Sequence, residues 1–108
     1  VRHNTLGPGG QINLGSKAGQ TTTGATVVDN VVGQIELNSP GGGGGTATVV
    51  TNDYNLCRAG ACAGAHSVVG TPTLVGGNSF TTLAGAMLTS GSLGYNAGSD
   101  GTSMGVTP

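Results

Sequence analysis

Charged residues are scarce in this chain. Of its 108 residues, three are Lys or Arg and four are Asp or Glu. This is 6% of the chain, where about 25% is usual. Three dispersed cations cannot neutralise a phosphate backbone, which excludes a nucleic-acid partner. A free soluble protein is kept dispersed by a well-charged surface, so we expect much of this surface to be covered in an assembly.

Large apolar residues are also few. Aromatic residues make up 3% of the chain and tryptophan is absent. No stretch approaches the roughly 20 apolar residues that a membrane-spanning helix needs, so no membrane span is expected. The core must be thin, and a small domain with a thin core needs a disulfide, a metal or neighbouring subunits to stabilise it.

The chain is rich instead in glycine, threonine and valine, with 23 glycines in all. β-branched residues favour strands over helices, and they cluster in residues 25–28, 31–38, 46–52 and 67–77. Residues 31–38 alternate in polarity, which is typical of half-buried antiparallel strands. Asp29 and Asn30 would form a tight turn, and the glycine tract of residues 41–45 would join two strands.

These patterns predict an all-β, mainly antiparallel fold, either a small β-sandwich or a partly open barrel with glycine-rich loops. Residues 79–90 are the one helical candidate, because an apolar stripe at helical spacing follows Ser79. No fixed-period repeat is evident, which argues against a β-solenoid. We expect an extended N-terminal arm at residues 1–14, a β domain at 15–90 and a glycine-rich tail at 91–108.

The two cysteines, Cys57 and Cys62, are predicted to form a disulfide that closes a short loop. Such a bond indicates an oxidising compartment and hence a secreted or cell-surface protein, and the start of the sequence at Val1 suggests a processed or excised chain. Reduced thiols without a role are one alternative. A metal site is the other, because Cys57, Cys62 and His66 have the spacing C-x4-C-x3-H and His3 could add a fourth ligand.

No motif indicates catalysis or a cofactor. The serines lack a nucleophile-elbow context. The glycine tract has no lysine after it, which excludes a phosphate-binding P-loop. The four carboxylates are scattered along the chain, three of them in turn contexts. We therefore expect a protein that is not an enzyme and has no cofactor.

An open β-sheet with a single lysine lacks the charges that normally protect edge strands. This favours a secreted structural subunit that polymerises with copies of itself into an extracellular, pilus-like fibre by β-strand addition. A viral capsid-decorating or spike domain and a monomeric carbohydrate- or ice-binding module are the alternatives. The side chains expected at the subunit interface are Leu6, Ile12, Leu14, Val31, Ile35, Leu37 and Val49.

Overall fold

The computed structural model describes residues 1–15, 18–37, 45–47, 50–59 and 62–108. Most of the regular structure within these ranges is short β-strand, and a single 3-10 helix lies at Ala84–Ala86. None of the helical structure in these ranges is long or apolar enough to span a bilayer. The strands are β1 (Gln11–Asn13), β2 (Thr21–Thr22), β3 (Ala25–Val28), β4 (Val31–Val32), β5 (Gln34–Glu36), β6 (Thr46–Ala47), β7 (Val50–Asp53), β8 (Leu56–Cys57) and β9 (Val68–Val69).

All pairs of these strands are parallel. β1 pairs with β5, β2 with β6, β3 with β7, and β4, β8 and β9 form one three-stranded sheet. The prediction of a mainly antiparallel sandwich or barrel was therefore wrong, although the predicted β-character is confirmed. Consecutive strands in these ranges form no hairpins: even β8 and β9, which are neighbours in the sequence, pair in parallel.

The pairing follows a nearly constant step along the chain. Thr21 pairs with Thr46, Ala25 with Val50 and Val31 with Leu56, and each of these steps is 25 residues. The step from Gln11 to Gln34 is 23 residues, and that from Thr5 to Val31 is 26. Parallel strands one step apart form stacked coils, so the described chain is a short β-solenoid. The expectation that no such repeat exists was wrong, because the period lies in the strand register rather than in conspicuous sequence identity.

A sharp corner turns the chain within each coil. His3, Asp29 and Tyr54 have positive φ angles of 53°, 60° and 55°. This left-handed conformation is uncommon for residues other than glycine. At Asp29 the corner separates β3 from β4 within one coil. The Asp29 and Asn30 pair is therefore a bend between two strands of the same coil and not a hairpin turn.

Two apolar clusters lie on opposite faces of the sheet formed by β4, β8 and β9. Ile12, Val27, Val32 and Cys57 fill the coil interior. Val31, Leu56, Leu74, Leu88 and Met104 form the second cluster, between the sheet and the C-terminal part of the chain. Parallel sheets are normally buried on both faces. β4 and β8 meet that condition, whereas Val69 on β9 is 57% exposed.

Residues 70–108 form a flank along the side of the coils. An antiparallel bridge joins Leu74 to Leu88, and Gly105 N–H donates to the Asp29 carbonyl over 2.7 Å. Gly105 has a φ of 75°, and a Cβ there would lie 2.8 Å from the Val31 side chain. Only the three residues Ala84–Ala86 are helical within the predicted helix at residues 79–90.

Several sequence expectations concern residues outside the described ranges. They are the interface role of Val49, most of the glycine tract and part of the strand expected at residues 46–52. Residues 1–14 belong to the first coil, where Arg2 pairs with Val28 and Thr5 with Val31.

Candidate functional site

A ladder of asparagines connects the coils immediately after each corner. Asn30 and Asn55 are fully buried. The Oδ1 of Asn55 accepts hydrogen bonds from both the main-chain N–H and the Nδ2 of Asn30, each over 3.0 Å. The Oδ1 of Asn30 accepts in the same way from Asn4, with both distances 3.1 Å. Every buried amide in the ladder is thus used to join one coil to the next.

The ladder ends on a serine. Asn55 N–H donates to Ser67 Oγ over 3.0 Å, so Ser67 takes the place of a fourth asparagine. The step from Leu56 to Val68 is only 12 residues. The chain therefore returns to the stack after a segment about half as long as in the earlier coils, and this segment contains the disulfide loop.

A short sequence signal marks this ladder. The stretches HNTL at residues 3–6, DNVV at 29–32 and YNLC at 54–57 share a corner residue, an asparagine and two strand residues. HSVV at 66–69 repeats the pattern with serine. Sequence reasoning missed the signal because four residues in every 25 or 26 leave little identity to detect.

The first coil leaves open main-chain groups at its outer edge. Val31 N–H donates to the Asn4 carbonyl and the Val31 carbonyl accepts from Leu6 N–H, both over 2.8 Å. In parallel pairing, alternate residues bond to opposite sides of a strand. The main-chain N–H and C=O of Thr5 therefore point away from the stack, and no described residue bonds to either group.

The last coil has a matching open edge. Val68 N–H donates to the Asn55 carbonyl over 2.8 Å, and Gly70 N–H donates to the Cys57 carbonyl over 3.0 Å. Val69 lies between these two bonds, and its main-chain N–H and C=O point away from the stack. Its side chain is 57% exposed, so an apolar strand edge is accessible at this end of the stack.

A cluster around Asp29 fastens the C-terminal flank to the first corner. Asp29 is fully buried and accepts hydrogen bonds from both the N–H and the hydroxyl of Ser99. The Nε2 of His3 lies 2.9 Å from Asp100 Oδ2, and its Nδ1 lies 3.1 Å from the Gly105 carbonyl. Hydrogen bonds from the hydroxyl and N–H of Thr102, with a smaller contribution from His3, hold the pKa of Asp100 well below its ordinary range.

His3, Asp29 and Asp100 are the described residues best placed for a cation. Their ligand-type atoms lie within 4.8 Å of one another. Ser99 already donates to both carboxylate oxygens of Asp29. These contacts explain the cluster by a structural role, which is to hold the flank against the first corner. The metal set considered from sequence is not assembled, because Cys57 and Cys62 are bonded to each other.

A second histidine lies at the last corner. His66 Nδ1 is 2.7 Å from Asp53 Oδ2, and the His66 ring stacks on Tyr54 with a centroid distance of 4.3 Å. Burial alone would raise the pKa of Asp53, but hydrogen bonds from the His66 side chain, His66 N–H and Tyr54 N–H outweigh it and lower that pKa.

The predicted disulfide is confirmed. Cys57 and Cys62 are joined, with their Cα atoms 5.6 Å apart. Next to this bond, Arg58 donates from Nη1 to the Leu6 carbonyl. Its Nε and Nη2 are buried and form no hydrogen bond to any described residue, and burial lowers the pKa of the guanidinium.

Most of the side chains predicted for a subunit interface lie within the coil stack. Val31 is fully buried in the cluster beneath the flank. Ile12 belongs to the apolar cluster in the coil interior, and Leu6, Leu14 and Ile35 pack against that cluster. Leu37 is half-buried. The interface role of these residues stays a prediction. Among them, only Leu6 is adjacent in sequence to Thr5, whose main-chain N–H and C=O are open.

A cleft of about 380 Å³ opens in the C-terminal flank. Apolar walls from Val75 and Leu88 meet Tyr95, Asn96 and Thr102 there. Tyr95 is 41% exposed, so an aromatic ring and several polar groups are accessible in one concave surface.

Comparisons with protein-family models, with curated proteins and with solved structures found no match to this chain.

Proposed function

We propose that this chain is a non-enzymatic structural element of a secreted, extracellular fibre, to which it adds by β-strand addition at the ends of its coil stack. The observation that carries the proposal is the pair of open edges at Thr5 and Val69. A parallel stack extends in one direction, and a strand added at an open edge lengthens it.

The disposition of polar groups supports a structural role. Asn30 and Asn55 are fully buried and are hydrogen-bonded to each other. The buried carboxylate of Asp29 holds the flank in place. These buried polar groups are therefore used for stacking and for holding the flank, and they are not available to a substrate. The Cys57–Cys62 disulfide is consistent with an extracellular protein.

Imaging and sedimentation of the purified, oxidised chain test this proposal. We expect threads in negative stain and a sedimentation coefficient that increases with protein concentration. Discrete closed particles would favour the capsid or spike alternative. A chain that stays monomeric at high concentration would refute the fibre.

The cleft beside Tyr95 favours a second candidate, the carbohydrate-binding module. Pockets that combine apolar walls with a few polar groups are the usual form of small-molecule sites, and Asn96, Thr102 and Ser103 supply the polar groups here. This candidate predicts saturable calorimetric binding of a soluble oligosaccharide by the monomer. Binding should be lost on the substitution Tyr95→Ala.

A further inference from the structure

The open edges at the two ends of the stack fit each other. We propose that the partner at each end is a second copy of this chain, docked head to tail. In this contact, Ser67–Val69 of one copy pairs in parallel with Asn4–Gly7 of the next. This inference rests on the proposed function and specifies its contact: the strands, their register and the direction of growth.

The register follows from the columns of the existing stack. Thr5 pairs with Val31, Val31 with Leu56, and Leu56 with Val68. One further step in this column places Val68 beside Thr5 of the next copy. The neighbouring column, which contains Val32, Cys57 and Val69, then places Val69 beside Leu6 of that copy.

The hydrogen-bonding groups match in this register. Between the second and third coils, Leu56 N–H donates to the Asn30 carbonyl and Arg58 N–H donates to the Val32 carbonyl. By the same pattern, Thr5 N–H of the next copy donates to the Ser67 carbonyl, and Gly7 N–H of that copy donates to the Val69 carbonyl. Val69 N–H donates to the Thr5 carbonyl. Within the described chain, none of these N–H and carbonyl groups forms a hydrogen bond.

The asparagine ladder also continues across the junction. The Oδ1 atoms of Asn30 and Asn55 each accept from the residue one coil earlier, whereas the Oδ1 of Asn4 receives no hydrogen bond in the described chain. Ser67 N–H would donate to it. Within its own chain that N–H has only a long contact of 3.4 Å with the Gly64 carbonyl.

Side-chain chemistry favours a second copy over an unrelated strand. Val69 is 57% exposed, and Leu6 of the next copy would cover it in the column that already contains Val32 and Cys57. Residues 4–7 and 67–70 contain no charged side chain, so neither edge carries the charges that block strand pairing. Because the two surfaces differ, the contact is heterologous and repeats along one axis.

The substitution Val69→Pro tests the contact because it removes an N–H that the isolated chain does not use. Leu83→Pro is the matched control. Leu83 is 70% exposed, its φ of −59° suits proline, and no described residue accepts from its N–H. We expect the control to form threads as the wild type does and Val69→Pro to form none.

Mixing provides a sharper outcome. Val69→Pro retains the first-coil edge, so it should add to one end of a growing thread and stop it. One variant chain in ten should therefore shorten wild-type threads several-fold, and the same fraction of Leu83→Pro should not. Threads of unchanged length would overturn the head-to-tail contact.

Hydrogen exchange on wild-type threads gives a test that does not depend on the folding of a variant. The amides of Thr5, Gly7, Ser67 and Val69 should exchange at least tenfold more slowly in threads than in the monomer. Threads with these amides unprotected would refute this contact and leave the fibre standing. A wild-type chain that forms no threads would refute the fibre itself.

Discussion

The asparagine ladder predicts that chemically identical substitutions differ in cost according to their place in the stack. Asn30→Ala removes Nδ2, which donates to the Val28 carbonyl over 2.9 Å and to Asn55 Oδ1 over 3.0 Å. It also removes the acceptor for Asn4 N–H. Each buried group left without a partner costs about 1–3 kcal/mol, and the methyl group of alanine replaces none of these bonds.

We expect Asn30→Ala to lower the free energy of unfolding by about 2–4 kcal/mol, a large share of the roughly 5–15 kcal/mol that stabilises a typical domain. Asn4→Ala should cost less than about 1 kcal/mol, because Asn4 is exposed at the end of the ladder. Asn13 is exposed on β1, and Asn13→Ala should change stability by no more than about 0.5 kcal/mol.

Urea unfolding of the oxidised monomer, with m-values compared among the variants, measures these differences. Asn30→Asp separates the two functions of the amide, because it keeps an acceptor for Asn4 but turns a second oxygen toward the Val28 carbonyl. It should cost at least as much as alanine at neutral pH. Equal costs for Asn30→Ala and Asn4→Ala would refute the view that the buried ladder holds the coils together.

Two further predictions concern ionisable side chains. The pKa of Asp53 is lowered in the folded chain, so its contribution to stability is present above the unfolded pKa of about 3.9 and is lost as the pH falls through the folded pKa. The melting temperature of Asp53→Asn should therefore fall less between pH 5 and pH 2 than that of the wild type, and parallel curves would contradict this. Arg58→Met removes two buried, unpartnered nitrogens and should leave urea stability unchanged or raised, because burying such a charge is costly. A loss of more than about 2 kcal/mol would show that the Arg58 bond to Leu6 outweighs this cost.

The sequence predicts strands better than it predicts their partners. The β-branched runs are strands at Ala25–Val28, Val31–Val32 and Val50–Asp53, and in the first two of these strands the valines are also buried. Partner choice depends on groups distant in the sequence. The Nδ2 of Asn30 bonds to Asn55, 25 residues away, and nothing in the residues around Asn30 distinguishes this role from that of an ordinary turn asparagine.

The 25-residue period of the strand register was not recognised in the sequence for a related reason. The corner positions repeat a backbone conformation and not a residue type, since His3, Asp29 and Tyr54 share a positive φ but no side-chain chemistry. The disulfide loop then shortens the last step to 12 residues. The disulfide itself was predictable, because two cysteines five residues apart offer a simple pairing.

The C-terminal flank covers one face of the central strands. The two faces of β4 and β8 are buried, one in the coil interior and the other beneath residues 70–108, whereas Val69 on β9 is 57% exposed. The carboxylate of Asp29 lies inside the structure, holding that cover through Ser99. Residues 70–108 cover the second apolar cluster, but Leu83 and Tyr95 in this flank are 70% and 41% exposed. In the proposed fibre, growth is directed along the stack axis by the uncharged edges at Thr5 and Val69, one at each end of the stack.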